Sequence, residues 1–321
     1  MVLLCRCSCV NVYTFLRERQ VDHDADVPRY RLLDPKAAAM VTPALPSLAV
    51  VGSANVDVTA FVDRLPTAGE TVAGGRLSRD LGGKGANQAV AAAKLGGRVR
   101  MIGAVGDDAD GTWTREEMIR AGVDVADLRT VDAPTGTALI VVDSDAENQI
   151  AVCPGANDHV ALDVVTFRED EAVLMQLEIA LAVVEAVAAT ATGFVAVNAA
   201  PAQPLPEALL RRVDLFIVNE TERELMPELA DAELVAVTYG AAGAALYRRG
   251  EEIARADGVR AEAVNTVGAG DAFCAALVLA LRAGHSPADA LAAACAVGSA
   301  AVSHLSSQPP LAHLNRYLPV R

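Results

Sequence analysis

The sequence has few aromatic residues and no excess of positive charge. Phe, Trp and Tyr make up only 4% of the 321 residues, so the core has to be built from small aliphatic side chains. Such a core suits helices packed on a parallel sheet. Lys and Arg number 27 against 41 Asp and Glu, a formal net charge of −14. A field of that sign repels phosphate backbones, so we expect no nucleic-acid partner.

Long hydrophobic runs are also lacking. The most apolar stretch, residues 272–305, is interrupted by Arg282, His285, Pro287 and Asp289. A membrane-spanning helix needs about 20 consecutive apolar residues, so we expect no membrane segment. The content of 52% hydrophobic and 21% charged residues is typical of a soluble globular protein, and we expect a cytoplasmic location.

The first 46 residues differ from the rest of the chain. Cys5, Cys7 and Cys9 alternate along one short stretch, followed by a charged segment punctuated by proline. Structural zinc sites normally use pairs with C-x2-4-C spacing, so we do not expect a metal here. We predict that residues 1–46 form a disordered extension, with Met40 as an alternative start. We also predict that the three cysteines in apolar surroundings are reduced core residues: Cys153, Cys274 and Cys295.

From residue 47 onward, apolar runs alternate with helical patterns. This alternation predicts one α/β domain, residues 47–321, with a mostly parallel sheet and helices on both faces. The predicted strands are 48–52, 99–105, 172–177, 194–198, 215–218 and 235–238. The predicted helices are 85–95, 113–121, one after Ala156, 180–190, 206–213, 271–283 and 286–304. We also predict β-rich segments at 59–81 and 136–152 and a hairpin-like region at 243–256.

A glycine turn in residues 264–273 carries the first chemical signal. It runs from a strand end through Gly268, Ala269 and Gly270 into a helix that begins near Asp271. Glycines allow close backbone approach, and unpaired N–H groups at a helix N-terminus attract anions. Asp271 could simply favour the helix dipole, or it could serve as a general base beside a developing negative charge. The second role is what phosphoryl transfer to an alcohol requires.

Polar residues follow several of the predicted strands, at the edge where open α/β sheets bind ligands. The Gly-rich segment 81–87 opens a helix but lacks the spacing of a P-loop, so it suits hydroxyl groups better than phosphates. Any one acid at a strand end is more often a helix cap, yet so many clusters together favour a binding site. They are Asn55, Asp57, Gln176, Glu178, Asn198 and Asn219 to Glu222.

Five segments together resemble the ribokinase branch of the PfkB carbohydrate kinase family. They are Gly82–Gln88, Asn265–Phe273, Gly52–Asp57, Met175–Glu178 and Asn219–Glu222, and the likeness extends from Leu48 to Gln308. The resemblance implies the family's fold, an α/β domain with a small β-sheet lid built from about 59–81 and 136–152. It also implies ATP-dependent phosphorylation of D-ribose at O5, with a lid that commonly forms a homodimer interface.

The resemblance also implies roles for individual positions. Asp271 would be the catalytic base, and the turn Gly268, Ala269 and Gly270 would stabilise the transferred phosphoryl group. The sugar would contact Asn55, Asp57, Gly83, Lys84, Gly85, Ala86, Asn87, Glu178 and Asp271. The nucleotide would contact Asn219, Thr238, Tyr239, Gly240, Ala241, Ala242, Gly243, Gly270 and Cys295.

Metal sites follow from the same resemblance. Glu222 would help to place hydrated Mg²⁺, which keeps several waters and is held largely by ATP oxygens. The candidate K⁺ ligands are Asn265, Val267, Ala301, His304 and Ser306. Related enzymes carry an acid where this chain has Asn265, so activation by K⁺ stays open. The segment 223–234 is shorter than usual for the family.

Two further interpretations also stay open. One is a kinase for another acceptor, such as deoxyribose, a nucleoside or a sugar phosphate. The other is a sugar-binding relative without catalytic activity. A binding protein has no need for the base in the Gly-Ala-Gly-Asp turn, which favours an enzyme.

Overall fold

The computed structural model describes residues 45–145, 147–162, 165–262, 265–304, 306 and 308–319. Most of the predicted extension lies outside the described residues. Leu45 and Pro46 are described, and Leu45 is buried in the apolar core. These two residues of the predicted extension therefore belong to the described part of the domain.

Thirteen strands are found in the described part of the chain. In chain order they are β1 (Ser47–Val51), β2 (Asn55–Phe61), β3 (Arg76–Gly82), β4 (Arg98–Gly106), β5 (Leu128–Val131), β6 (Gly136–Val142), β7 (Asn148–Cys153), β8 (Glu171–Gln176), β9 (Val195–Asn198), β10 (Leu215–Asn219), β11 (Val235–Thr238), β12 (Ala244–Arg248) and β13 (Glu251–Ala256).

Seven α-helices are found in the same ranges: α1 (Lys84–Lys94), α2 (Ala109–Arg120), α3 (Leu181–Thr190), α4 (Glu207–Arg212), α5 (Glu220–Leu225), α6 (Ala269–Arg282) and α7 (Pro287–Val302). Ser286 caps α7 by accepting from the Asp289 N–H, with Pro287 at the first helical position. None of the helices in the described ranges has the length and apolar character needed to cross a membrane.

The large sheet has the order β13-β12-β11-β10-β9-β8-β1-β4-β5. All pairings from β11 to β5 are parallel, and the hairpin β12–β13 adds two antiparallel strands at one edge. Successive side chains of β1 point to opposite faces: Leu48 and Val50 pack with α1 and α6, whereas Ala49 and Val51 pack with α3. The predicted parallel sheet with helices on both faces is confirmed.

A second, smaller sheet stands apart from the first, with the order β3-β2-β6-β7. It corresponds to the two predicted β-rich segments, although the first forms strands only at its ends. Asn55 and Asp57 were predicted to follow the first strand, and they do, but both lie on β2, which begins four residues before the predicted β-rich segment. The reason is that β2 pairs along its whole length with β3 and β6, so the small sheet begins directly after the large sheet ends.

Other predictions need correction. A helix was predicted after Ala156, but the described residues there form a 3₁₀ turn at Gly155–His159 and no α-helix. Here the Asn157 side chain binds the Ala54 N–H and the Asn55 amide, which ties the turn to the start of β2.

Helix α2 begins at Ala109, before the predicted 113, because Asp108 caps it. Strand β5 was not predicted, and Cys153 is exposed, whereas Cys274 and Cys295 are buried as predicted.

Candidate active site

Two helix N-termini meet at the carboxyl edge of the large sheet. Helix α1 begins at Lys84, and α6 carries Asp271 in its first turn. The two helices pack on the same face of the large sheet. Strand β3 of the small sheet leads directly into α1, so one end of the small sheet lies beside both helices. This junction collects most of the polar side chains that the sequence singled out.

Asp271 is held by two amide groups from α1. Asn87 Nδ2 lies 3.2 Å from one carboxylate oxygen, and Gln88 Nε2 lies 3.0 Å from the other. The residue is only 9% exposed. Burial raises the pKa of Asp271, an effect opposed by the Lys84 charge and by the two amide hydrogen bonds. The carboxylate is therefore fixed in place, largely dry, and a stronger base than an exposed Asp.

Space remains open in front of the glycine turn. Gly268 adopts a left-handed φ of 79°, which turns the chain into α6, and its carbonyl accepts the first helical bond from the Ala272 N–H. A methyl group added at Gly270 would meet no atom within 4 Å. The first-turn amides of a helix have no partner within the helix, so this opening is suited to an anion. The Ala269 N–H also donates a long hydrogen bond to the Thr266 carbonyl at 3.4 Å.

Glu178 caps the N-terminus of α1 from a distant part of the sequence. It follows β8, and its carboxylate accepts from the Lys84 backbone N–H at 2.9 Å and from Ser53 Oγ at 2.6 Å. Helix α1 comes this close because Gly83 has a φ of 82° and because Gly85 lacks a side chain. A Cβ at Gly85 would lie 2.6 Å from the Ser53 carbonyl oxygen.

Lys84 carries the positive charge of this cluster. Its ammonium group lies 3.9 Å from Glu178 Oε1. Burial is the largest single influence and lowers the pKa of Lys84, but the charges of Asp271, Glu178 and Glu222 together raise it above its usual range. Lys84 is therefore protonated at neutral pH and offsets part of the surrounding negative charge.

Asn55 and Asp57 bring the small sheet into the site. The Asn157 amide donates to Asn55 Oδ1 at 2.7 Å and so fixes the orientation of the Asn55 side chain. The pKa of Asp57 is raised to about 7, first by burial and then by the charges of Glu178, Asp80 and Asp271. Asp57 therefore changes its charge near neutral pH.

Several residues of this site were missed as functional candidates. Ser53 and Gln88 stand inside quoted motifs, but nothing in their spacing shows that they contact Glu178 and Asp271. Gln308 also bonds to Asn87 Oδ1 across 221 positions of sequence. A contact over that separation leaves no local sequence signal. Asn157, beside Asn55, was missed for the same reason.

The residues predicted for the nucleotide lie along a neighbouring stretch of the same sheet edge. Asn219 and Thr238 are paired in register at the ends of β10 and β11, and Tyr239 to Gly243 form the following turn. Asn219 and Glu222 cap α5 reciprocally, with hydrogen bonds of 2.8 Å in each direction. Cys295 is buried in the core that also contains β12 and β13 residues. Contacts of these residues with a nucleotide stay a prediction.

The predicted K⁺ ligands lie near the end of α7. The Asn265 N–H donates to the Val302 carbonyl at 3.1 Å, and the His304 N–H donates to the Ala301 carbonyl at 3.2 Å. Asn265 Oδ1 accepts from the Val267 N–H at 3.0 Å, and Ser306 Oγ accepts from the Gln308 N–H. Among the described residues, no three His, Cys, Asp or Glu side chains group so as to hold a metal ion.

The site combines the buried Asp271 carboxylate, an opening lined by helix amides and a group of polar side chains. The carboxylate can accept a proton from an alcohol, and the amides can stabilise negative charge that arrives beside it. The polar side chains of Glu178, Asp57 and Asn55 offer hydrogen-bond acceptors for further hydroxyl groups. Such a site suits transfer of an anionic group to a polyhydroxylated molecule.

Comparison with known proteins agrees with this chemistry. The ribokinase of Haemophilus influenzae is 37% identical over 261 residues, covering 73% of this chain and 85% of that enzyme. The solved ribokinase of Thermotoga maritima matches with a TM-score of 0.77 and 28% identity, over 85% of this chain and 98% of that one. Arabidopsis thaliana ribokinase complexed with ribose and ATP matches with a TM-score of 0.75 and 30% identity, covering 85% of this chain and 97% of that chain. The profile described as pfkB family carbohydrate kinase matches residues 45–314, and this chain belongs to that family.

Proposed function

We propose that this protein transfers the γ-phosphoryl group of ATP to O5 of D-ribose. The observation that carries the proposal is the buried Asp271 carboxylate, hydrogen-bonded to α1 and placed beside the open glycine turn of α6. The similarity to ribokinases over most of the chain, including one complexed with ribose and ATP, supports ribose as the acceptor.

In this proposal each part of the site has one task. Asn55, Asp57, Lys84, Asn87 and Glu178 bind the hydroxyl groups and orient O5 toward Asp271. Asp271 accepts the O5 proton as the new O–P bond forms, which removes positive charge from the attacking oxygen. The backbone amides of Gly268 to Gly270 stabilise the negative charge of the phosphoryl group in flight. The small sheet covers the sugar and excludes water.

ATP and Mg²⁺ are the proposed cofactors. The nucleotide would lie along Asn219 and the turn from Thr238 to Gly243, with its phosphates directed toward Gly270. Burial raises the pKa of Glu222, and its carboxylate already accepts the Asn219 N–H. One carboxylate without an all-protein cage suits an ion that keeps its waters and is bound by phosphate oxygens. When bound, Mg²⁺ would neutralise charge on the triphosphate.

Other features of the proposal concern the whole chain. Exposed apolar residues on the small sheet, among them Leu77, Leu139 and Val152, support a homodimer formed through that sheet. A need for ATP and two buried free thiols support the cytoplasm as its location. We also propose that the kinase domain is complete from residue 45, so a chain truncated to start at Met40 should keep full activity.

ADP release in the presence of ATP and Mg²⁺ tests this function. The acceptors to compare are ribose, deoxyribose, fructose 6-phosphate and adenosine, each with and without K⁺. We expect ribose to give the highest kcat/KM. Comparison of the rates with and without K⁺ tests whether a K⁺ site can form with Asn265 at the position where related enzymes carry an acid. A higher kcat/KM for another acceptor would reassign the substrate, and ribose binding without turnover would indicate a non-catalytic relative.

A further inference from the structure

Gln88 is a fully buried amide behind the catalytic carboxylate, and the reaction as described gives it no task. Its exposed fraction is 0%. Gln88 Nε2 donates to Asp271 Oδ1 at 3.0 Å and to Asn198 Oδ1 at 3.1 Å, and Gln88 Oε1 accepts from Gln176 Nε2 at 2.6 Å. We propose that Gln88 is a positioning residue that holds Asp271 in its ionised form and aimed at the acceptor hydroxyl. This inference rests on the proposed function.

The neighbours of Gln88 leave its amide only one orientation. Asn198 donates through Nδ2 to the Ile217 carbonyl at 3.1 Å, so its Oδ1 faces Gln88 and requires a donor there. Gln88 therefore presents its NH₂ group to Asn198 and Asp271, and its oxygen turns toward Gln176. Asn198 at the end of β9 thus fixes the amide that contacts the base, and Gln176 only donates to the opposite side of that amide.

This orientation distinguishes the two protonation states of Asp271. An ionised carboxylate only accepts hydrogen bonds, so both of its oxygens are matched by donors from Asn87 and Gln88. A proton on Oδ1 would face the NH₂ group of Gln88, donor against donor. The network therefore favours the form of Asp271 that can accept a proton.

The donors are also neutral. In the part of the chain that the structure describes, no Lys or Arg forms an ion pair with Asp271; Lys84 acts on it at longer range. A full ion pair would lower the basicity of the carboxylate more strongly than two amides do. The other titratable groups that face Asp271 are Glu178, Asp57 and Cys274, which oppose its ionisation or add no positive charge. Amide donors thus keep Asp271 ionised and still basic.

Gln88→Met tests the inference, because Met fills a similar volume and donates no hydrogen bond. We expect kcat to fall about tenfold with the ribose KM nearly unchanged, and the acidic limb of the pH profile to move up by about one pH unit. Gln176→Met is the matched control: it removes an equally buried amide from the same network but leaves both donors on Asp271. Its acidic limb should stay at the wild-type pH.

A second measurement does not depend on turnover. With ¹³C-labelled aspartate, the Asp271 carboxyl signal, assigned by its loss in Asp271→Asn, can be titrated directly. We expect its pKa to rise in Gln88→Met and not in Gln176→Met. Equal pKa values in Gln88→Met and wild type, or equal shifts in both variants, would overturn the inference. If wild type phosphorylates no sugar, the proposed function fails while the titration still decides the role of Gln88. Should Gln88→Met not fold, Gln88→Glu replaces it, with an even larger upward shift expected.

Discussion

Three carboxylates share this site, and their surroundings give them different chemical properties. Asp271 accepts two amide hydrogen bonds and stays close to the opening of the glycine turn. Glu178 accepts through Oε2 from a backbone N–H and a hydroxyl group, which holds the start of α1, and its Oε1 lies 3.9 Å from the Lys84 ammonium group. Asp57 has neither arrangement, and burial together with the neighbouring negative charges raises its pKa to about 7. Only Asp271 combines fixed geometry with access to a reacting group.

Asp271→Asn should abolish most of the activity. The amide keeps the shape of the side chain but cannot accept the hydroxyl proton, and general-base catalysis contributes about 10²–10⁴-fold. We expect kcat to fall by that factor in the ADP-release assay, with ribose affinity in calorimetry changed by less than about threefold. Near-normal turnover in this variant would remove Asp271 from its assigned role.

Ribose affinity should depend on pH through Asp57. With a pKa of about 7, Asp57 is largely ionised at pH 8 and largely protonated at pH 6, where it loses acceptor capacity for hydroxyl groups. We expect binding to be about tenfold weaker at pH 6 than at pH 8 in calorimetry without nucleotide. Asp57→Asn should bind ribose more weakly and with no such dependence; an unchanged pH dependence would assign it to another group.

The same pKa predicts an effect on stability. The pKa of Asp57 in the folded protein lies above its unfolded value of 3.8, so the folded state binds the proton more tightly between these values. Its contribution to stability is therefore present at low pH and is lost as the pH rises through 7. Asp57→Asn should raise the unfolding temperature relative to wild type at pH 8 but not at pH 4.

The sequence predicts the functional residues better than their partners. Asp271, Glu178 and Lys84 stand in motifs whose residue types already indicate proton transfer and hydroxyl binding. Gln88 and Gln308 could not be found in this way, because their contacts with Asp271 and Asn87 join segments far apart in sequence. Hydrogen-bond orientation within a buried network is set by tertiary packing, and a single sequence carries no local signal for it.

At the scale of elements, the site is made by two helices that begin at the same place. Helix α1 has its N-terminus closed by the Glu178 carboxylate, so its amides are already satisfied in part. Helix α6 begins after Gly268 with open space beside Gly270. We therefore expect an incoming anion to bind at the N-terminus of α6. The N-terminus of α1 lies on the side of the site proposed for the sugar.

Gly270→Ala tests the opening at α6. An added methyl group meets no protein atom within 4 Å, and alanine favours a helix over glycine, so the fold should be as stable as wild type or slightly more stable. The methyl would occupy space needed by the phosphoryl group, so we expect kcat to fall at least about tenfold. Gly298→Ala in α7 is the control: its Cβ would lie 3.5 Å from the Ala269 carbonyl oxygen, an ordinary contact on the protein side of the turn, so its activity should stay much closer to wild type than that of Gly270→Ala. Full activity in Gly270→Ala would place the anion elsewhere.

Strands and helices with a regular hydrophobic pattern could be predicted from the sequence. Strands that form mainly because they pair with a neighbouring strand could not. The strands of the large sheet other than β5, and helices α3, α6 and α7, follow from apolar runs and turn or cap signals. Strand β5 has only four residues and forms by pairing with β4, and β2 carries polar residues because one of its faces adjoins the site. Short or functional strands take their conformation from neighbours that are distant in sequence.

At the scale of the whole molecule, the small sheet continues from the large sheet at one end, and Arg79 of β3 also contacts Asp110 and Trp113 of α2. Strand β2 leaves the large sheet directly after β1, and β3 returns straight into α1. Its strand pairing places Asp57 on the same face as Val152, and Leu139 on the opposite face with Val58. The end of the small sheet next to β1 and α1 carries polar residues of the site. The outer part of the sheet exposes apolar side chains on both faces.

The outer part of the small sheet should pair two copies of the chain. Leu77 is 68% exposed and Leu139 is 50% exposed, both on the face that does not carry Asp57. Burying such side chains against a second copy would remove apolar area from water, which favours a dimer. We expect wild type to have the mass of a dimer in light scattering. The double substitution Leu77→Glu and Leu139→Glu should shift it to the monomer.

Exposed apolar residues outside the sheet provide the control for this dimer. Ile119 on α2 is 53% exposed, so Ile119→Glu changes surface charge and hydrophobicity without touching the small sheet. That variant should remain a dimer. If the small sheet covers the sugar as proposed, the monomeric double variant should also bind ribose more weakly, with Asp271 itself unaltered. A monomeric wild type, or a double variant that stays dimeric, would place the contact on another surface.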